Sequence, residues 1–179
     1  MTNILIGRIA LTLIFSFLFF AAFTQPTKTF SSLKYDKVII YDYSGSKDYY
    51  IHIIDEQGRL AKTVTKQVTL NTMEINKLSK SLNNKSSYGS GSAACFDPHL
   101  GIVYYHKTKI VAHVSVCLDC NALDSSIDIA AQKQGKIGKG KDAYYMLSGM
   151  SKSFRYFLNT LLIKYKFSHQ IVPGESFDQ

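Results

Sequence analysis

Three cysteines and one histidine concentrate the chemistry of this sequence. Cys95 and His99 stand four residues apart, and Cys117 with Cys120 forms a Cys-x-x-Cys pair. The segment between the two groups predicts two strands, Leu100 to His106 and Ile110 to Cys117. The second of these alternates Ile110, Ala112, Val114 and Val116 as an apolar face, the signature of a half-buried strand. A tight turn at Lys107-Thr108-Lys109 makes the pair a hairpin, and a hairpin brings the residues outside its two ends together. A two-residue turn sets Cys95 opposite Cys120 and Pro98 opposite Cys117. With a three-residue turn, His99 faces Cys117 instead. Pro98 has no N–H for the ladder, so pairing is disturbed there in either register.

Three chemistries fit this grouping. Opposed strand residues have Cβ atoms about 4.5–5.5 Å apart, close to disulfide reach, so a Cys95–Cys120 or Cys95–Cys117 bridge is expected in an oxidising compartment. That reading leaves one odd thiol. A Cys3His site for zinc, with Cys95, His99, Cys117 and Cys120 as ligands and Asp97 orienting His99, uses every thiol. Thiol catalysis is the third. It lacks a helix start beside Cys117 to lower its pKa, Asp119 between the thiols opposes a thiolate, and a Cys95–His99 pair has no orienting partner in sequence. No catalytic residue is assigned. His52, His106, His113 and His169 read as ordinary surface or strand residues.

The run Cys95-Phe96-Asp97-Pro98-His99-Leu100-Gly101, then Tyr104-Tyr105, then Cys117-Leu118-Asp119-Cys120-Asn121, resembles a pattern found in uncharacterised secreted bacterial proteins of similar length. The resemblance covers residues 95 to 121 and brings no activity with it. It implies only that the four-residue constellation belongs together.

The elements that position these residues follow from periodicity. Lys37 to Tyr43, Tyr49 to Asp55 and Arg59 to Thr65 predict an antiparallel meander with turns at 44–47 and 56–58. Asn71 and Glu74 have capping-box spacing, and Ile75, Leu78 and Leu82 recur at helical period, which predicts a helix over 72–83. Residues 84–92 read as a polar loop, and 121–148 give mixed signals. From Met150 to Tyr165 an apolar stripe of Phe154, Phe157, Leu158, Leu161 and Leu162 predicts a terminal helix, with Lys152, Arg155 and Asn159 off the stripe. The fold class is therefore α+β: a mainly antiparallel five-stranded sheet with two helices packed on one face.

Arg8 followed by the apolar run from Ile9 to Phe20 reads as a signal peptide over 1–24, cut before Gln25. The alternative is an uncleaved membrane anchor over Ile4 to Phe23. A flexible leader over 25–34 and a single domain over 35–179 complete the expected organisation.

The chain has 21 Lys+Arg against 13 Asp+Glu, and the excess is local. Between Lys133 and Lys166 there are eight basic residues and one acid, Asp142. Lys133, Lys136, Lys139 and Lys141 form a candidate surface for an anionic envelope or an acidic protein. Nucleic acid is not expected for an exported chain without a binding motif. Residues 135–141 begin like a phosphate-binding loop, but Asp142 stands where a hydroxyl should hold magnesium, so no nucleotide is expected. These readings converge on an exported binding or envelope-associated protein without enzymatic activity, in the periplasm or outside the cell. Its Cys/His cluster is a disulfide or a metal site. A periplasmic thiol-dependent enzyme is the alternative.

Overall fold

The computed structural model describes residues 29–45, 52–93, 95–137, 139–142 and 144–171. The expected signal peptide or anchor, the start of the leader and residues 49–51 of the expected second strand lie outside them. Among the described residues no helix is long and apolar enough to cross a membrane.

In chain order the elements are β1 (Lys37–Asp42), β2 (Lys66–Thr69), α1 (Thr72–Asn83), β3 (Tyr88–Ser90), β4 (Leu100–His106), β5 (Lys109–Cys117) and β6 (Ala122–Ser125). Then follow β7 (Gln134–Ile137), β8 (Tyr144–Leu147), β9 (Gly149–Met150) and α2 (Lys152–Lys164). The main sheet is five-stranded in the order β2-β1-β4-β5-β6, antiparallel at every pairing. Two small ribbons, β3 with β9 and β7 with β8, lie outside it. The fold class is thus α+β as its periodicities indicate.

Strand alternation divides the core in two. Val38, Ile40, Ile102, Tyr104 and Val114 face the helices, where they meet Leu78 and Leu82 of α1 and Phe154, Leu158, Leu161 and Leu162 of α2. Leu78 and Leu82 are fully buried, each contributing about 1.5–3 kcal/mol by removal from water. Both helices therefore cover one face. Ile39, Tyr41, Tyr43 and Val103 face the other way, against Ile53 and Ile54, with Ala61 and Val64 packed at the margin. An irregular segment roofs that second face. It sits close because Gly101 has no side chain: a Cβ there would overlap Ile53 Cγ1. The Ile53 N–H is satisfied by Ser115 Oγ at 2.9 Å.

Local rules set the helix ends. The Asn71 side chain accepts from the Glu74 N–H at 3.0 Å, and the Glu74 carboxylate accepts from the Asn71 N–H at 3.1 Å, a complete capping box. Ser151 caps α2 by accepting from the Phe154 N–H.

Several expectations are corrected. The opening is not a meander, because β1 pairs with β2 and β4. Among the described residues 52–65 the only bridge is Ile54 to Leu60, and the strand expected at 59–65 falls at 66–69. Burial against the sheet determines this, since β1 is apolar on both faces and is placed between two strands. Phe30, expected in a flexible leader, is buried with its ring 5.2 Å from Tyr104. Arg155 and Asn159, read as lying off the stripe, are buried as well. Asn159 makes a two-way hydrogen bond to the backbone of Ile171, so the returning C-terminal chain covers that side of α2. Burial removes Arg155 from the basic surface. The basic stretch after Lys133 belongs to the β7–β8 ribbon, with Lys133, Lys139 and Lys141 exposed.

Candidate functional site

The β4–β5 hairpin contains both of the registers that the sequence allows. At the turn, Lys107 takes φ 56° and a two-residue loop pairs His106 with Lys109 and Tyr105 with Ile110. Val111 is then an extra residue, and from Tyr104↔Ala112 to Leu100↔Val116 the ladder runs one step later. This bulge carries the hairpin to its open end in the second register. There the His99 N–H donates to Val116 O at 3.1 Å, while the Tyr43 N–H donates to His99 O at 3.2 Å. His99 is thus fixed by its backbone to both neighbouring strands. Just before it, the Gly45 N–H donates to Pro98 O at 2.8 Å, and a Cβ at Gly45 would meet Pro98 Cδ at 2.6 Å.

Cys95 and Cys120 are joined by a disulfide, with Cα atoms 5.7 Å apart. That is the usual Cα separation for such a bridge. Of the bridges compatible with the sequence, this is the one formed. Cys117 is free and buried. The Cys3His set of Cys95, His99, Cys117 and Cys120 is not assembled, because two of its sulfurs are bonded to each other. Burial pushes the Cys117 thiol up, against backbone N–H donors from Asp97 and Cys120 that act to lower it. The Cys120 N–H lies 3.2 Å from the Cys117 sulfur.

The histidine of this constellation finds other partners. His99 and His169 stack with ring centroids 4.1 Å apart and planes 23° from parallel. His169 Nε2 lies 2.6 Å from Asp119 Oδ2. His99 Nε2 is 3.9 Å from Asp97 Oδ2, beyond hydrogen-bond length, so Asp97 stands beside His99 as expected without holding it directly. One ligand atom each from His99, Asp119 and His169 fall within 4.8 Å of one another. With Nε2–H donating to Asp119, a neutral His169 keeps Nδ1 as its lone-pair nitrogen.

Each member is positioned from a different part of the chain. Asp119 lies in the turn between Cys117 and Cys120, where the Asn121 N–H donates to Leu118 O at 3.2 Å and Asn121 takes φ 51°. Asn121 Nδ2 then donates to Gly91 O and Met150 O, which ties this turn to the β3–β9 ribbon. His169 follows Ser168, whose N–H and hydroxyl are both held by the buried carboxylate of Asp42. Lys66 Nζ donates to Tyr165 O at 2.6 Å and helps return the chain from α2 to the sheet edge.

His169 is the residue that sequence reasoning misses. It lies 50 positions from Asp119, and only the α2 turn-back brings the two together. The other histidines are separate. His52 is 3.4 Å from Asp124, His106 is 3.4 Å from Asp36, and burial lowers the pKa of His113.

Searches against family models, curated proteins and solved structures find no match to this chain.

Proposed function

We propose that this is an exported binding protein of the cell envelope that works without catalysing a reaction, and that its open hairpin end is secured by the Cys95–Cys120 disulfide. The disulfide carries this reading. Such bridges persist in oxidising compartments and are rare where thiols are kept reduced, and the apolar run from Ile9 to Phe20 supplies an export signal. The remaining sulfur supports a non-catalytic role. A thiol enzyme needs an accessible sulfur with a lowered pKa, whereas Cys117 is fully buried and its thiol is pushed up.

The basic ribbon is the surface proposed to meet an anionic envelope. Lys133, Lys139 and Lys141 are exposed on it, and attraction between such charges and anionic head groups is screened over about 8–10 Å.

Fractionation with N-terminal sequencing and intact mass tests the proposal. Recovery outside the cytoplasm, starting near Gln25 and about 2 Da lighter than the fully reduced chain, is expected. Recovery from the cytoplasm with three free thiols would overturn it. Replacing Lys133, Lys139 and Lys141 with Glu is expected to weaken binding to anionic vesicles. Equal binding by both proteins would remove the ribbon from the proposed surface.

A further inference from the structure

We propose that His99, Asp119 and His169 form a binding site for a divalent transition-metal ion, with zinc as the reference ion. This goes beyond the envelope-binding role and does not depend on export, since it rests on the positions of the three side chains.

Two imidazoles and one carboxylate are donors suited to zinc, copper(II) or nickel(II), while magnesium and calcium prefer sites built from oxygen alone. Zinc bonds to such donors are about 2.0–2.1 Å long, so neighbouring ligand atoms in a tetrahedral site stand roughly 3.3 Å apart. Here the three ligand atoms already lie within 4.8 Å of one another. His169 Nε2 and Asp119 Oδ2, 2.6 Å apart, have to open by about 0.7 Å if these atoms are the ligands, and the His169 ring then carries its proton on Nδ1 so that Nε2 offers a lone pair. Small side-chain rotations provide this. The side chains of His99, His169 and Asp119 are 22%, 32% and 45% exposed, which leaves room for rotation and a path for the ion.

The backbone beneath them is fixed before any ion arrives. His99 is bonded to Tyr43 just beyond β1 and to Val116 of β5, Ser168 to Asp42, and Asp119 is bracketed by the Cys117–Asn121 turn. Little chain ordering then opposes binding, which is the condition under which three ligands suffice. The contact of His99 Nε2 with Asp97 is longer than a hydrogen bond, so coordination at that ring breaks no hydrogen bond between the two. Asp97, 3.9 Å from His99 Nε2 and too far to hold the ring by a direct hydrogen bond, adds a second carboxylate beside the site. The carboxylates of Asp119 and Asp97 together balance the charge of the ion. Three protein ligands leave a coordination position for water or another small donor.

Titration of the oxidised, chelator-stripped full chain with Zn²⁺, followed by calorimetry and by imidazole NMR resonances, tests the proposal. One equivalent is expected, shifting the resonances of His99 and His169 and leaving those of His106 and His113 in place. His99→Gln and His169→Gln are each expected to weaken binding by roughly 100-fold or more, and Asp97→Asn by about tenfold. Circular dichroism identifies any variant that fails to fold, and the shifts in the parent chain give the answer in that case. Absence of a saturable equivalent, shifts centred on His106 or His113, or unchanged affinity in both folded histidine variants would overturn the site. None of these results bears on where the protein is recovered, so this proposal and the export reading fail separately.

Discussion

The carboxylate of Asp42, at the end of the first strand, accepts two hydrogen bonds from Ser168, one from its backbone N–H at 2.6 Å and one from its hydroxyl at 2.9 Å. The two residues are 126 positions apart, and this contact sets where the C-terminal segment meets the sheet. Asp42→Ala leaves a backbone donor without its charged acceptor. A loss of about 1.5–3 kcal/mol in urea unfolding is expected, together with weaker Zn²⁺ binding because His169 is no longer held. Unchanged stability would show that the segment's other contacts, from Lys66, Asp119 and Asn159, hold it without Asp42.

Glu74 gives the fold an acid-sensitive tie. Burial acts to raise its pKa, but hydrogen bonds from Lys164, the Asn71 N–H and Tyr165 outweigh burial and hold it below the usual carboxylate range. A depressed folded-state pKa contributes stability that is present above the unfolded value of roughly 4.3–4.5 and is lost as pH falls through the folded value. Unfolding midpoints measured from pH 6 down to about pH 2 are expected to fall more steeply in the parent than in Glu74→Gln. At neutral pH that variant is expected to be less stable by about 1 kcal/mol, because a Gln amide keeps the reciprocal cap but offers Lys164 and Tyr165 a neutral acceptor in place of a charged one. Parallel pH profiles would assign the acid response to other carboxylates.

The cysteines have separable behaviours. Alkylation of the native oxidised chain is expected to label nothing, since Cys117 is buried, and alkylation in denaturant to label one residue. Cys95→Ser is expected to cost about 2–5 kcal/mol. It also unties the segments carrying His99 and Asp119, so Zn²⁺ affinity is expected to fall with it. Rapid native labelling at Cys117 would contradict the packing described.

Gly101 tests the second core layer. Gly101→Ala places a methyl group where Ile53 Cγ1 sits, and overpacking of this kind costs about 1–3 kcal/mol. Thermal unfolding measures it. A neutral substitution would mean that the segment around Ile53 yields easily and contributes little to the core.

The parts of this fold legible in the sequence are those governed by neighbours. Asn71 with Glu74, the alternation of Ala112, Val114 and Val116, and the stripe from Phe154 to Leu162 each express a local period or cap, and each forms the expected element, although the Val111 bulge turns Ile110 away from the face that its spacing predicts and onto the second core. The placement of β1 between β2 and β4 was not legible, because Ile39 and Ile40 are equally apolar and nothing local says which strands flank them. The candidate site divides along the same line. Hairpin geometry brings His99 and the cysteines to one end but leaves Cys95–Cys120 and Cys95–Cys117 both open; the Val111 bulge puts the open end in the register that sets His99 opposite Cys117, and the bridge to Cys120 forms beyond the paired residues. His169 depends on a helix length, a buried aspartate and a chain reversal, none of which leaves a mark beside it in sequence.

The disulfide also gives the hairpin an unusual topology. Cys95 and Cys120 are 25 positions apart, and β4, its turn and β5 all lie between them, so this stretch is a covalently closed ring. Proteolytic scission at the exposed Lys107 turn would therefore leave a single molecule, with its halves still joined across the base of the hairpin. Such a protein would migrate intact on a non-reducing gel and divide into two fragments only after reduction, so the bridge confers tolerance of damage at an exposed turn of the central sheet.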